Sequence, residues 1–428
     1  SDDRGDSWRA VSGDLSRGID RNRLKIMGRI WSVDAIAKNA STSIYGGLVA
    51  LAESPRVEGL LYAGTDDGRL QVSEDGGGNW RAVEKFAGAP TMALIADIAP
   101  SVHDDDVVYL VIDNHKQGDF TPHVLRSADR GRSWKAIGGG LPQRGQAHTI
   151  VEDPGQAGLL FVGTEFGVHF SQDDGASWHP LKGMPTIAVR DLEIQAREHD
   201  LVIGSFGRGF FVLDDYRPLR RAPAQLKANA ATLFEPRDSW IYTPDNRRGW
   251  GGLGDYGHRY SGENPPHGAV FSYYLREALE TAKARRQKAE AETAKAGKDT
   301  PYPSWQALRA EDNEEAPTVV LTVRNATGEV VARVTGPTAT GFHRVSWDLR
   351  LPAPDPINLT PPASRAPWQS PPQGPLATPG RYTVSLGQRV QGRWSELGEP
   401  QSFALKAMPD GSLVAEVPAD KQAFDQAS

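Results

Sequence analysis

The chain has 428 residues, with 48 Lys and Arg against 54 Asp and Glu and no Cys. That length exceeds one ordinary core, so two or more domains are expected. The net charge of −6 gives no basic footprint for nucleic acid, and the lack of Cys excludes disulfides and thiolate metal sites. No run of roughly 18 apolar residues occurs, so no segment reads as a transmembrane helix. The 45 Gly, 31 Pro and 11 Trp suit a turn-rich β protein.

In chain order, the first signal is a repeat, Ser-x-Asp-x-Gly-x-x-Trp. It occurs as SDDRGDSW from Ser1, SEDGGGNW from Ser73, SADRGRSW from Ser127 and SQDDGASW from Ser171. Its Asp residues are Asp3, Asp75, Asp129 and Asp173, and its Trp residues are Trp8, Trp80, Trp134 and Trp178. Asp bonds its own backbone in tight turns, and Gly supplies the left-handed angle. Trp opens the next strand and buries area between units. These Asp residues therefore read as turn residues with a structural role.

Apolar runs punctuated by Gly, Asp and Pro fill the intervals. The first full unit is expected to have strands at 47–55, 59–65, 69–73 and 79–83, innermost to outermost. Further units are expected at 91–137, 147–181 and 188–215, the last without the turn motif. Segment 18–44 is longer than a blade connection needs and reads as an insertion. A repeat of this period implies stacked supersecondary units.

The repeat resembles the Asp-box, or BNR repeat, of sialidases, sortilin-type receptors and two-propeller xyloglucanases. The flanking runs YGGLVALAESP from Tyr45, GLLFVGTEFG from Gly158 and VIGSFGRGFFVLDD from Val202 resemble bacterial BNR-repeat proteins labelled glycosyl hydrolase or sortilin-like. The fold this implies is all-β. A partial propeller of four full blades plus part of another is followed by an immunoglobulin-like sandwich. Four blades do not close a ring. The chain is therefore expected to be part of a longer or processed polypeptide, with the remaining N-terminal propeller portion as its partner.

Beyond the propeller region, 1–221, lies a Gly- and aromatic-rich connector at 222–266. Its Trp240, Tyr242, Trp250, Tyr256 and Tyr260 read as glue between domains or as sugar-stacking groups. A sandwich follows at 267–408, carrying a charged helix at 277–296 and a Pro-rich loop at 352–378. Its strands, with Trp347, Asp348 and PGRYTV from Pro379, resemble the immunoglobulin-like module of the flagellar hook-capping protein. Residues 409–428 read as a linker and the start of a helix.

Strand order puts the four Asp turns on one end of the blades and the second-to-third turns on the other. In sialidase-like propellers that other face binds ligand. It would carry Glu165, Asp66, Asp113 and Tyr45 as candidate catalytic residues, and Arg208, Arg190, Asp67, His115 and His148 as candidate ligand-binding residues. Paired carboxylates there would suit glycoside hydrolysis; turn carboxylates bonding backbone would suit a wet channel. His115, His123 and His148 lack metal-ligand spacing, so neither a metal nor a cofactor is expected. The leading expectation is an exported bacterial binding or scaffold module for a protein or glycan. The alternative is a sialidase- or xyloglucanase-like glycoside hydrolase acting on extracellular polysaccharide. The resemblance places such a protein in the periplasm, at the cell surface or outside the cell.

Overall fold

A computed structural model describes residues 1, 3–36, 46–221, 223–242, 265–353 and 373–408. The chain divides into two compact units, Ser1–Arg220 and Arg221–Ser428.

The first unit is a row of antiparallel blades. The first comprises β1 (Leu48–Glu53), β2 (Leu61–Thr65), β3 (Leu70–Ser73) and β4 (Arg81–Val83). The second comprises β5 (Leu94–Pro100), β6 (Val108–Asp113), β7 (His123–Ser127) and β8 (Lys135–Ala136). The third comprises β9 (Ala147–Glu152), β10 (Leu160–Thr164), β11 (Gly167–Ser171) and β12 (His179–Pro180). The fourth has three strands, β13 (Val189–Gln195), β14 (Asp200–Ser205) and β15 (Phe210–Leu213). Neighbouring blades meet through their first strands, β1 against β5, β5 against β9 and β9 against β13.

Apolar residues on facing sheets form one core between each pair of blades. Tyr62, Leu70 and Val72 meet Ile95, Leu110 and Trp134. Tyr109 and Val111 meet Ile150, Val162 and Trp178. Phe161 and Val168 meet Leu192, Ile203 and Tyr216. Large apolar side chains at this spacing explain why the blades stack, since burying an aromatic ring removes a large area from water.

All four Ser-x-Asp turns share one geometry. In the third, Ser127 Oγ donates to Asp129 Oδ1 at 2.7 Å and accepts from Gly131 N at 2.8 Å. Asp129 Oδ1 also accepts from Ser133 N at 2.8 Å, and Oδ2 from Ser133 Oγ at 2.6 Å. Desolvation would raise the Asp129 carboxyl, but the bonds from Ser133 and Ser127 outweigh it and hold the group at about 2. The residue before each Gly takes a left-handed angle: Arg4, Gly76, Arg130 and Asp174. Arg130 offsets that cost with ion pairs to Asp106 and Glu74, and Asp174 with one to Arg126.

The Trp residues differ. Trp134 and Trp178 are buried, whereas Trp8 is 81% exposed. Trp134 stacks edge-on to Phe86 of the preceding blade at 5.7 Å, and Trp178 Nε1 donates to Ile137 O at 2.7 Å. No strand surrounds Trp8 among the described residues. Nevertheless Val11, three residues on, packs on Gly77 of the next Asp turn. Ile137, three residues after Trp134, packs on Gly175 in the same way. Residues 1–11 thus continue the repeat register as the outer end of another blade. Leu48, Val49 and Leu51 at one end of the row, and Phe210 and Val212 at the other, remain exposed.

The second unit holds two sheets around one core. β16 (Ala231–Leu233), β18 (Ala269–Leu275) and β21 (Gly341–Trp347) form the smaller. The larger holds β17 (Ser239–Ile241), β24 (Gln401–Ala407), β22 (Gly380–Val390), β19 (Thr318–Arg324) and β20 (Val330–Gly336), with β23 (Arg393–Glu396) paired to β22. Phe271, Tyr273 and Trp347 pack against Leu321, Tyr382 and Phe403 between them. A short helix, α1 (Pro223–Ala228), opens this unit. The charged helix is shorter than its sequence implies. Thr281 caps it by accepting from Ala284 N, giving α2 (Ala282–Lys295). A further helix, α3 (Trp305–Asp312), is capped by Ser304 and joined to α2 by Arg286, which binds Glu311 at 2.8 Å. Most of the connector and the Pro-rich loop, and all of 409–428, lie outside the described residues.

Candidate functional site

Every first strand of a blade carries a β-bulge at its entry. The register skips Val49 in β1, Ala96 in β5, His148 in β9 and Arg190 in β13. A bulge adds an unpaired residue and re-aims its side chain. In the third and fourth blades the two bulge residues meet: Arg190 Nη1 lies 3.1 Å from His148 Nδ1. A guanidinium can only donate, so Nδ1 is the acceptor and the ring proton sits on Nε2. That Nε2 donates to Glu165 Oε2 at 3.0 Å, from the turn joining β10 and β11. Burial pushes the His148 pKa down despite the Glu165 bond, keeping the imidazole neutral at neutral pH.

Glu165 also faces Arg190 Nη2 at 3.6 Å and Gln146 Nε2 at 3.4 Å. All three donors address Oε2. Oε1 takes no hydrogen bond among the described residues. The carboxylate is held in place with one oxygen open. Glu165 is a third exposed and Arg190 nearly half, so both reach solvent. Phe206 lies under the Arg190 guanidinium at 5.3 Å.

The other sequence candidates separate. Asp113 is buried and binds His115 Nδ1 at 2.7 Å and His115 N at 2.9 Å. Its charge, like that of Glu165, favours the proton on His148. Asp66 accepts from Gly46 N and Gly47 N at 2.7 and 2.8 Å and so fixes the entry of β1. Asp67 has no exposed surface. It accepts from Thr65 Oγ1 at 2.5 Å and Arg17 N at 2.9 Å, so it braces the segment before β1. Arg208 lies exposed in the turn between β14 and β15 and does not join the Glu165 cluster. Tyr45 lies outside the described residues. Among the described residues no group of three or more His, Asp or Glu could hold a metal ion.

Two carboxylates escaped the sequence reading. Asp97 and Asp191 each follow a bulge, in β5 and β13. Asp97 Oδ2 accepts from Ile150 N of the neighbouring first strand at 2.8 Å. Burial raises its pKa, and the Asp191 charge adds to that rise. The polar residue inside an otherwise apolar strand, as in LIADIAP, was the available signal.

No family model matches the chain. It is 27% identical to a xyloglucanase of Paenibacillus sp over 161 residues, 35% of this chain and 16% of that enzyme. It is 28% identical to a xyloglucanase of Hypocrea jecorina over 145 residues, 30% of this chain and 17% of that enzyme. Among solved structures, the GH74 xyloglucanase from Xanthomonas campestris is 17% identical with a TM-score of 0.32, covering 41% of this chain and 30% of that one. The chain thus spans less than a fifth of the length of these two relatives. The molecule is an all-β propeller-type protein, similar in part of its length to xyloglucanases.

Proposed function

We propose that this chain is part of an exported bacterial carbohydrate-active propeller whose site lies at the bulged ends of the first strands. The carrying observation is Glu165, fixed through Oε2 by His148 and Arg190 with Oε1 open. A carboxylate so held suits a nucleophile or general base on a glycan. Asp97, whose proton is bound more tightly than usual, suits an acid role. Partial similarity to xyloglucanases supports a β-glucan substrate class. Under this reading the exposed faces of β1 and β15 receive further blades of the same ring, covalent or cleaved.

Release of reducing ends from xyloglucan tests the reading. The wild-type chain, assembled with its remaining blades, should hydrolyse the polymer. Glu165→Gln should lower kcat by about 10²–10⁴-fold with the fold retained. Equal turnover by both proteins would remove Glu165 from the mechanism. A second reading, a glycan- or protein-binding scaffold of sortilin-like type, is favoured by Asp66 and Asp67, whose carboxylates are committed to the chain's own backbone. It predicts binding without turnover.

A further inference from the structure

The larger sheet of the second unit has an apolar face in the core and an opposite face that is neither apolar nor evenly charged. Val319, Leu321 and Val323 point into the core. Their neighbours on β19, with residues of β20, β22 and β23, line a trough of about 450 Å³. Strand register sets its floor in rows. Trp394 stands opposite Arg389, which stands opposite Thr318. Two residues along, Glu396 stands opposite Gly387, and Val320 lies between Gly387 and Thr335. In the next row Arg333 stands opposite Thr322.

The indole of Trp394 reaches diagonally and lies on Gly387, where a Cβ would overlap it. Glycine at that point lets the ring lie flat on the strand. Trp394 is still 47% exposed, so one side of the ring is supported and part of it stays open. Three guanidiniums share the trough with this ring, from Arg324, Arg333 and Arg389, against one carboxylate, from Glu396. Arg389 is partly satisfied by Glu315 at 3.2 Å, and Arg324 by Gly328 O at 3.0 Å. Arg333 has no ion pair among the described residues.

We propose that this face binds an acidic polysaccharide, one bearing uronate carboxylates. A sugar ring offers C–H groups to the flat indole, and planar guanidiniums bind carboxylates through paired hydrogen bonds. The Thr hydroxyls beside them serve sugar hydroxyls. Nucleic acid fits less well: Trp394 is the single aromatic side chain lining the trough among the described residues, whereas single strands are held by successive bases stacked on several rings. This site is separate from the Glu165 cluster and does not depend on what that cluster does.

Affinity electrophoresis of the full chain through gels containing polygalacturonate tests the proposal, with xyloglucan and single-stranded DNA as parallel gels. Polygalacturonate should retard the protein, less so as salt rises. Arg333→Gln and Trp394→Ala should each raise the apparent Kd about tenfold or more, while Trp394→Phe keeps most binding. Circular dichroism checks that each variant is folded. Absence of retardation, equal retardation by xyloglucan, retardation by DNA alone, or retardation unchanged in folded Arg333→Gln would each overturn it. Because the Glu165→Gln variant should be retarded as wild type, failure here is distinguishable from failure of the hydrolase reading.

Discussion

Removing Arg220 should destabilise the first unit more than removing any surface charge. Its partner Asp153 follows β9 and has no exposed surface. Arg220 Nε and Nη2 donate to its two oxygens at 2.7 and 2.8 Å. Tyr216 OH donates at 2.7 Å and Gly155 N at 3.1 Å. Tyr216 in turn packs edge-on to Phe161 at 5.2 Å. The end of the fourth blade is thereby clamped onto the third. Arg220→Ala leaves the Asp153 charge buried with only neutral donors, a defect that costs about 3–5 kcal/mol in comparable sites. The guanidinium is about one-fifth exposed, so the lower end, about 3 kcal/mol, is expected. The loss should depend on pH with a definite sign. Burial alone would raise the Asp153 carboxyl, but Arg220 and Tyr216 hold it below its usual value. Its contribution is therefore present above the unfolded carboxylate pKa of about 4 and lost as pH falls through the folded value. In Arg220→Ala the buried carboxyl is expected to titrate upward, so acid should relieve the defect. Urea unfolding of wild type and variant at neutral pH and at about pH 4 measures both quantities. A loss below about 0.5 kcal/mol at neutral pH, or a larger loss in acid, would mean that Arg220 does not neutralise a buried Asp153 charge.

Trp134→Ala should cost about 3–5 kcal/mol by opening the core between the first two blades; Trp8→Ala, at an exposed ring, should shift the urea midpoint little. Asp129→Ala should lower stability by about 1–2 kcal/mol through its lost turn bonds, while glycan affinity at the opposite end stays unchanged. Burial lowers the pKa of His169, whose Nδ1 has no hydrogen-bond partner among the described residues. Its contribution is present above the unfolded His pKa of about 6.5 and lost as pH falls. His169→Leu should flatten that part of the stability–pH curve, and an unchanged slope would assign it elsewhere.

Strand positions were legible because each blade is built of short apolar runs, buried along their length in β6 and β10, that are punctuated by Gly, Asp and Pro turns. In the first blade the expected 59–65 and 69–73 runs meet the observed Leu61–Thr65 and Leu70–Ser73. The repeat ends near Arg221 in the sequence, and the compact units divide after Arg220. The site was legible only by residue type. Turn position grouped Glu165 with Asp66 and Asp67, but their fates depend on donors far along the chain: Arg17 for Asp67, and His148 with Arg190 for Glu165. A bulge shifts period-two alternation by one residue, and in strands as short as LIADIAP and VRDLEIQ that slip does not stand out. That is why Asp97 and Asp191 were passed over. Arg220 and Asp153 were missed for a similar reason, being 67 residues apart.

Hydrogen–deuterium exchange of the full chain with and without xyloglucan oligosaccharides tests most directly where the site lies. Exchange should slow at 113–117, 145–148, 164–167, 188–190 and 205–209, with the Ser-x-Asp turns at 73–80, 127–134 and 171–178 unchanged. Protection confined to those turns, or none in the first unit at saturating oligosaccharide, would contradict that location.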